Sequence, residues 1–414
     1  MTWWSDIPAV LNGATQGAVV WADCREFLPF LPDACIDAIV TDPPYGLKFM
    51  GRAWDHGVPG EPFWRDFLRV AKPGCHLLAF GGTRKHHRLW CAVEDAGWEI
   101  RDCLMWLHGQ GFPKAVKTRT TLKPGWEPIL LARKRLDGKV EQNVRKHGTG
   151  RLNIDGCRIG VTVESWPASR SYAPGQMQPG GRGATEATGE APPGRWPANV
   201  VLSHHPECVS LGTKRIKGHK PADNANHRNR PSGFGMTGGK VGAYNDADGK
   251  ETVESWQCHP DCPVGMFPKG GGSNPIQRKE GSRRFNGTDY AGGKEYRAPA
   301  YESPGYGDSG SASRFFYCAK ASRAERTAHG KVDNNHPTVK PLDLMQWLVR
   351  LVCPPGGIVL DPFCGSGSTP IVAAREGLRY VGIDSDAAST ATARERLAAE
   401  LPLFAAQGAG VGER

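Results

Sequence analysis

A short run near the N-terminus combines a carboxylate with a flat ring: Thr41-Asp42-Pro43-Pro44-Tyr45-Gly46. It directly follows Ile36-Asp37-Ala38-Ile39-Val40, whose apolar and β-branched residues predict a buried strand. In an open parallel sheet, ligands lie at the carboxyl ends of the strands. The prolines lack N–H groups and leave free carbonyl acceptors beside Asp42 and Tyr45. Such acceptors suit the amino group of a base flipped out of a duplex, although a rigid turn with a surface Asp is the alternative.

A second run combines glycines with an acidic residue at a spacing typical of nucleoside sites. The run is Asp361-Pro362-Phe363-Cys364-Gly365-Ser366-Gly367-Ser368-Thr369, and Asp384 lies nineteen residues beyond Gly365. It separates a strand pattern from a helix pattern, and its glycines permit a tight turn and a close backbone approach to a ligand. A carboxylate after the next strand can accept hydrogen bonds from both ribose hydroxyls. Because the full dinucleotide fingerprint is absent, a nicotinamide cofactor is disfavoured; a tight structural turn is the alternative.

Alternating strand and helix patterns surround both runs and predict parallel βα units. In residues 1–134 they are a helix over Phe63, Phe67 and Val70 that ends at Pro73-Gly74, a strand at Leu77–Phe80, and a helix over Leu89, Ala92, Val93 and Ala96. In residues 326–414 they are a helix over Leu344, Leu348, Leu351 and Val352, strands at Ile358–Leu360 and Tyr380–Ile383, and a helix after Asp386.

Residues 135–325 lose this periodicity and are rich in Gly, Pro, Ser, Asn, Arg and Lys. Segments 176–188, 214–239 and 269–313 are predicted to be flexible or irregular. The region is either a pair of disordered linkers or a mobile, basic, DNA-binding region. Arg and Lys interleaved with Tyr, Phe, Asn and Gly suit phosphate contacts with a few base contacts.

Two short Cys/His groups in this middle region have the character of a structural zinc site. They are His204-His205-Pro206-Glu207-Cys208 and Cys258-His259-Pro260-Asp261-Cys262. We expect His204, Cys208, Cys258 and Cys262 to be the ligands, with His205 and His259 as rivals. The three-residue spacing is looser than the usual two, and scattered thiols with exposed histidines are the alternative.

Composition narrows the class of protein. The 414 residues include 52 Lys and Arg against 42 Asp and Glu, an excess that suits a polyanionic partner. No segment approaches the roughly 20 apolar residues of a membrane span, and the first residues do not resemble a secretory signal. Twelve cysteines lie scattered, mostly within apolar runs, so a reduced cytoplasmic location is expected.

Together the two runs resemble the amino-methyltransferases of DNA, in which Asp-Pro-Pro-Tyr is the catalytic motif and Phe-x-Gly-x-Gly binds S-adenosylmethionine. The catalytic run comes first here, which is similar to the β class, a circular permutation of the fold. The segment His336-Pro337-Thr338-Val339-Lys340-Pro341 resembles the one that packs under the methionine end of the cofactor. Trp106, the run from Gly109 to Lys114, and Glu127-Pro128-Ile129-Leu130 resemble later motifs of phage and bacterial members. The likeness covers residues 19–134 and 315–400.

The resemblance implies an α/β, circularly permuted Rossmann-like methyltransferase fold with a mostly parallel sheet. It implies a catalytic half at 1–134, an inserted target-recognition region at 135–325 and a cofactor-binding half at 326–414. The implied catalytic residues are Asp42, Pro43, Pro44 and Tyr45. The implied cofactor-binding residues are Asp361, Phe363, Cys364, Gly365, Gly367, Thr369, Asp384, His336, Thr338 and Lys340.

The implied activity is site-specific methyl transfer to adenine N6 in double-stranded DNA. Asp at the first motif position leans toward adenine in this family, whereas Ser leans toward cytosine, so N4-cytosine methylation is the rival. Methylation of RNA or of protein glutamine is less favoured. A non-catalytic DNA-binding protein that has kept the fold is the rival from another class. A cognate restriction endonuclease, and a monomer or a homodimer, are left open.

Overall fold

The computed structural model describes residues 6–47, 55, 57–109, 119–120, 122–160, 170–172, 185–187, 194–217, 248–267, 276–278, 283–284, 296–297, 301–303, 310–320, 323–334, 336 and 338–408. The helices are α1 (Asp6–Leu11), α2 (Cys24–Phe27), α3 (Glu61–Val70), α4 (His86–Asp95), α5 (Val140–His147), α6 (Pro263–Met266), α7 (Arg323–Arg326), α8 (Leu342–Val352), α9 (Ser368–Arg375) and α10 (Ala387–Gly408). Short 3₁₀ turns lie at Leu28–Phe30, Asp155–Cys157 and Ala312–Phe315.

Seventeen strands lie in the described residues. They are β1 (Gly17–Trp21), β2 (Ile36–Thr41), β3 (Ala71–Phe80), β4 (Glu99–Leu107), β5 (Trp126–Arg133), β6 (Arg170–Tyr172), β7 (Thr185–Ala187), β8 (Val200–Ser203), β9 (Val209–Lys217), β10 (Lys250–Gln257), β11 (Ile276–Arg278), β12 (Arg283–Arg284), β13 (Tyr296–Arg297), β14 (Tyr301–Ser303), β15 (Tyr317–Ala319), β16 (Ile358–Asp361) and β17 (Arg379–Asp384).

Nine of these strands form the main sheet, in the order β1-β17-β16-β2-β3-β5-β4-β8-β15. Only β5 runs antiparallel to its neighbours, β3 and β4; the other pairs are parallel. The expectation of a mostly parallel α/β sheet is therefore confirmed. The permuted chain order also places β2 directly beside β16.

The sheet is buried on both faces. Alternate residues of β2 and β3 divide between two apolar clusters, because successive strand side chains point to opposite faces. Side chains of α8, α9 and α10 cover one face, and those of α1, α3 and α4 cover the other. Strands buried on both faces are largely apolar, and β2 is apolar except for Asp37, which pairs with Lys72, and Thr41.

Two features differ from the sequence predictions. The helix over Phe63 ends at Val70, and the strand already begins at Ala71, so Pro73-Gly74 lies inside β3. There the Pro73 carbonyl accepts hydrogen bonds from Asn143 and Thr149. In addition, β8 and β15 extend the main sheet although they lie within residues 135–325. The middle region is therefore not wholly an excursion from the sheet.

The described residues contain no helix long and apolar enough to cross a membrane. All twelve cysteines lie in the described part of the chain, and each is a free thiol.

Candidate active site

The two motif runs meet at the carboxyl ends of neighbouring strands. Thr41, the last residue of β2, donates its hydroxyl to Asp361 Oδ1 of β16 at 2.7 Å. Both residues are buried, and they are 320 positions apart in the sequence. The Asp-Pro-Pro-Tyr run and the glycine run therefore leave the sheet side by side.

Asp42 and Tyr45 belong to a network of four polar side chains. The Tyr45 hydroxyl lies 2.7 Å from Asp42 Oδ1 and 3.0 Å from Glu127 Oε2. The Lys340 ammonium donates to Asp42 Oδ2 at 2.7 Å and lies 3.3 Å from Glu127 Oε2. Two carboxylates thus share one ammonium and one hydroxyl.

The electrostatics keep Lys340 charged and Tyr45 protonated. Burial alone would lower the pKa of Lys340, but the Asp42 and Glu127 carboxylates outweigh it and raise that pKa. Burial, reinforced by the same two carboxylates, raises the pKa of Tyr45 well above its usual range. Because the ammonium also lies 4.8 Å from the centre of the Phe80 ring, a cation–π contact adds to its stabilisation.

His108 lies beside Glu127, at the oxygen of that carboxylate that does not contact Tyr45. Its Nε2 is 3.6 Å from Glu127 Oε1, and its ring packs against Trp106 at 4.7 Å between centroids. Burial lowers the pKa of His108, so the ring is neutral near pH 7. Its Nε2 has no hydrogen-bond partner among the described residues.

The turn after Tyr45 is held by two charged side chains. Asp55 accepts the backbone N–H groups of Gly46 and Leu47 at 2.7 and 3.0 Å. Lys85 donates to the Gly46 carbonyl at 2.6 Å. These contacts fix the backbone that carries the Tyr45 ring.

The glycine run folds around Asp384, at the end of β17. Asp384 Oδ2 accepts the backbone N–H of Gly365 at 2.8 Å, and its Oδ1 accepts that of Asp386 at 2.9 Å. Gly365 and Gly367 have φ angles of 51° and 87°, in the left-handed region that favours glycine. A Cβ on Gly367 would come within 2.8 Å of Ala393 on α10, so the loop packs closely on that helix.

Asp361 is the most deeply buried carboxylate of the two runs. Its Oδ1 accepts from the Thr41 hydroxyl and from the Phe363 backbone N–H at 3.1 Å. Burial raises its pKa to about 7, while the hydrogen bonds from Thr369 and Thr41 oppose that rise.

Other residues expected at the cofactor lie around the loop. The His336 ring sits against Gly365, and the backbone N–H of Thr338 donates to His336 Nδ1 at 3.4 Å. Cys364 is buried, and burial raises the pKa of its thiol well above its usual range. The Phe363 ring stacks on Phe63, with centroids 5.4 Å apart.

Lys340, which is expected at the cofactor, directs its side chain toward Asp42 and Glu127. Its ammonium belongs to the Asp42–Glu127 network, because the two carboxylates attract it there. Only its backbone carbonyl reaches the glycine run, where it accepts from the Ser368 hydroxyl at 3.1 Å.

Glu127, His108 and Asp55 were not predicted to be site residues, although Glu127 begins one of the runs that resemble later family motifs. The available signal was Glu127 itself, a charged residue that directly precedes the apolar run Pro128-Ile129-Leu130-Leu131 in a strand. In the structure β5 carries this carboxylate to Tyr45, which is 82 positions away.

The Cys/His groups of the middle region also come together. The ligand atoms of His204, Cys208, Cys258 and Cys262 all lie within 4.8 Å of one another. His204 Nδ1 is 3.8 Å from Cys258 Sγ and 3.7 Å from Cys262 Sγ. Burial would raise the pKa of Cys262, but hydrogen bonds, first that from His204, lower it to about 6.

The rival histidines differ from His204 in their hydrogen bonds. His205 Nδ1 accepts the backbone N–H of Glu207 at 3.3 Å, and His259 Nδ1 accepts that of Asp261 at 3.1 Å. With Glu207 they form a second group whose ligand atoms lie within 4.8 Å of one another. Their rings stack on each other, with centroids 4.0 Å apart.

Comparison with known proteins identifies the family. The model of the N6/N4 DNA methylases, described as DNA methylase, matches residues 36–395. The chain belongs to this DNA methylase family.

Individual relatives are more distant or match over less of the chain. The type II methyltransferase M2.DpnII of Streptococcus pneumoniae is 45% identical over 65 residues, which are 16% of this chain and 24% of that protein. The chain thus spans about a quarter of that relative's length. The crystal structure of the M1.HpyAVI–SAM complex is 14% identical with a TM-score of 0.39, over 92% of this chain and 100% of that one. The cytosine-N4-specific PvuII DNA methyltransferase is 12% identical with a TM-score of 0.41, over 92% of this chain and 86% of that one.

Proposed function

We propose that this methylase transfers a methyl group from S-adenosylmethionine to the N6 amine of a flipped adenine in double-stranded DNA. The observation that carries the proposal is the Thr41–Asp361 hydrogen bond, which sets the Asp-Pro-Pro-Tyr run beside the glycine run. An acceptor for an amine and a loop for a nucleoside cofactor therefore share one edge of the sheet.

The residues of the glycine run fit such a cofactor. Gly365 and Gly367 adopt left-handed backbone angles that make the tight turn between β16 and α9, the kind of turn at which nucleosides bind in such folds. Asp384 uses one lone pair on each oxygen for a backbone N–H, and a carboxylate offers about four such sites, so acceptors remain for ribose hydroxyls. When bound, S-adenosylmethionine supplies an electrophilic methyl group on a positively charged sulfur.

The chain's own residues act on the amine. The lone pair of an exocyclic amine is delocalised into its base, so the nitrogen is a weak nucleophile. Asp42 and the Pro43 carbonyl accept its two N–H bonds, which favours tetrahedral nitrogen and aims the lone pair at the methyl group. The Tyr45 ring stacks on the extruded base, which returns roughly 1–3 kcal/mol against the few kcal/mol that flipping requires.

The choice of adenine rests on Asp42, because the family tendency associates Asp at this position with adenine and Ser with cytosine. Cytosine N4 is the second candidate, since it presents the same kind of amine to the same acceptors. A cognate endonuclease stays a prediction from the resemblance.

The test is methyl transfer by the purified protein. We expect N6-methyladenine at one short sequence after incubation with DNA and S-adenosylmethionine, read by sequencing that detects modified bases. Asp42→Ala should abolish methylation while cofactor affinity, measured by calorimetry, stays within a few-fold. N4-methylcytosine would move the target to cytosine. Cofactor and DNA binding without any methylated base would instead support a non-catalytic DNA-binding protein.

We also propose that His204, Cys208, Cys258 and Cys262 hold one structural zinc ion. Three thiols and one imidazole from two short segments form a Cys3His set, the usual ligation of structural zinc. The pKa of Cys262 is lowered, whereas burial and the neighbouring thiols raise the pKa values of Cys208 and Cys258, so a bound cation is what would stabilise all three as the thiolates that zinc binds. His205 and His259 are assigned to positioning the turns, since their Nδ1 atoms accept backbone N–H groups.

This metal would clamp the base of a hairpin. Cys208 directly precedes β9 and Cys258 directly follows β10, and these two strands pair with each other. His204 follows β8 of the main sheet, so the four ligands would join the hairpin to the sheet. Lys214, Lys217 and Lys250 on the hairpin are exposed. We propose that they contact DNA phosphates, in keeping with a target-recognition role for the middle region.

Elemental analysis tests the metal. Protein prepared without chelator should contain about one zinc per chain, and Cys258→Ser with Cys262→Ser should lose it. Cys91→Ser with Cys103→Ser is the matched control, and His205→Gln should also retain zinc. A metal-free protein that melts as the wild type does would contradict the proposal.

A further inference from the structure

We propose that Glu127 receives, through the Tyr45 hydroxyl, the proton that the amine loses after methylation. This inference rests on the proposed function and deepens it. It gives Glu127, which is partly exposed, and the buried His108 a part in the reaction, as the groups that take the proton away from the amine.

The contacts form a continuous path. Asp42 Oδ1 is 2.7 Å from the Tyr45 oxygen, and Glu127 Oε2 lies 3.0 Å from the same oxygen. A hydroxyl has one proton, so Tyr45 can donate to only one of these carboxylates at a time. It can therefore give its proton to Glu127 while it accepts another from Asp42.

The proton balance closes without another reactant. When nitrogen has bonded to the methyl group it carries a positive charge and two N–H bonds. One of these bonds breaks, its electron pair returns to nitrogen, and the proton binds Asp42. Asp42 passes a proton to the Tyr45 oxygen as the original hydroxyl proton moves to Glu127. Asp42 and Tyr45 then have their starting protonation, and Glu127 holds one proton more.

The charges favour this direction. Asp42 and Glu127 are two negative groups facing one cation, Lys340, which leaves one net negative charge in the network. Lys340 cannot accept the proton, because it is already an ammonium whose pKa is raised. Tyr45 does not persist as a phenolate, because its pKa is also raised. A proton taken up by a carboxylate neutralises the network.

His108 is placed to accept the proton from Glu127. Its Nε2 faces Glu127 Oε1 at 3.6 Å and has no hydrogen-bond partner among the described residues. A protonated Glu127 could donate to this nitrogen, whereas an ionised one could not. The other charged groups that act on His108 are Lys340 and Lys123, which together with burial keep the ring neutral and able to accept. Nε2 is itself buried, and the exposed 10% of the His108 side chain lies elsewhere on the residue.

The test is the pH dependence of a single methyl-transfer turnover, measured by rapid quench with labelled methyl groups. For the wild type we expect the rate to fall at acid pH, when the network already holds a proton. Glu127→Gln should lower the plateau by about 10- to 100-fold, within the range of general acid–base effects. It should also move the acid limb to lower pH, because the second carboxylate, whose repulsion favours proton uptake, is gone.

Two further variants separate this role from a structural one. Tyr45→Phe keeps the ring but breaks the path, so Tyr45→Phe with Glu127→Gln should be no slower than the slower single variant. Glu99→Gln is the matched control. Glu99 lies on β4 and pairs with Arg133 of β5, the strand that also carries Glu127, and its substitution should leave the pH profile unchanged.

Calorimetry gives a readout independent of turnover. Glu127→Gln should weaken binding of the cationic cofactor several-fold relative to the neutral product S-adenosylhomocysteine, because one negative charge is lost. An unmoved acid limb, or equal weakening of both ligands, would overturn the proton route. Failure of the wild type to methylate any DNA would instead contradict the proposed function.

Discussion

At the residue scale, Asp42 is held rigidly before any base arrives. Tyr45 engages one of its oxygens and Lys340 the other, both at 2.7 Å. The carboxylate therefore cannot rotate freely, and its remaining lone pairs point in fixed directions. Such preorganisation lets an acceptor act on an amine without reorganising during the reaction.

We propose that Asp384 is the corresponding fixed acceptor on the cofactor side, where it would bind the ribose hydroxyls. Asp384→Ala should weaken S-adenosylmethionine binding by roughly 1.5–3 kcal/mol, the usual loss for a hydrogen bond to a charged group. Part of this loss would come from the Gly365 N–H, which would have no acceptor. Calorimetry measures the effect, and Asp386→Ala, which changes a carboxylate that accepts from Ser389, is the neighbouring control. An unchanged dissociation constant would place the ribose contact elsewhere.

The sequence predicts Asp42, Tyr45, Gly365 and Gly367 because each lies in a short run with its own local signal. It does not predict that Lys340 and Glu127 converge on Tyr45, which lies 295 and 82 positions from them. Whether these side chains meet depends on the order of the strands in the sheet, and no local sequence pattern predicts that order. The resemblance likewise identified the segment that contains Lys340, but it did not give the direction of the Lys340 side chain.

At the element scale, the end of β16 carries a buried carboxyl group, that of Asp361. Asp361 closes the strand, accepts from Thr41 of β2 and begins the glycine run. Its pKa of about 7 means that ionisation is unfavourable there. The strand end therefore makes the stability of the sheet depend on pH.

The sign of this dependence follows from the two protonation states. Between pH of about 4 and 7 the folded protein keeps a proton on Asp361 that the unfolded chain has lost, so stability falls as pH rises through this window. Asp361→Asn should remove this contribution and reduce the loss of melting temperature between pH 5 and pH 8 by a few degrees. Thermal unfolding measures it, with Asp95→Asn on the exposed end of α4 as control. An undiminished pH dependence would show that Asp361 is not its source.

At the scale of the whole molecule, one sheet carries the two motif runs and also includes two strands of the middle region. The Asp-Pro-Pro-Tyr run and the glycine run leave its centre, at β2 and β16, whereas β8 and β15 at its edge come from the middle region. Apolar and alternating patterns predicted β2, β3, β16 and β17. The strands β1, β4 and β5 were not predicted, and neither were β8 and β15, which are three or four residues long within irregular sequence and too short for a periodic signal.

This arrangement allows a cleaner deletion than removal of the whole middle region, which would also remove β8 and β15. A short Gly-Ser loop in place of residues 209–257 keeps the four Cys/His ligands and the nine strands of the main sheet, but it removes Glu251, whose carboxylate pairs with Arg195 and Arg314. We expect zinc content and cofactor affinity to be retained, while DNA affinity falls at least about tenfold, because phosphate contacts are lost.

Gel shifts at several salt concentrations test this, since the salt slope should decrease by about 0.9 for each phosphate contact removed. Lys214→Gln, Lys217→Gln and Lys250→Gln together provide a variant that keeps the hairpin. Unchanged DNA affinity and slope in both proteins would assign DNA contact to another surface.

The pairing of Val209 with Gln257 brings the two ends of the hairpin side by side. Chain inserted between them begins and ends at the same place, so its length hardly affects the rest of the protein. Doubling such a loop costs only about 0.6 kcal/mol of closure entropy. If the hairpin has the proposed recognition role, its base is therefore a point at which recognition segments of different length can be exchanged. The sheet that holds the two motif runs would not change.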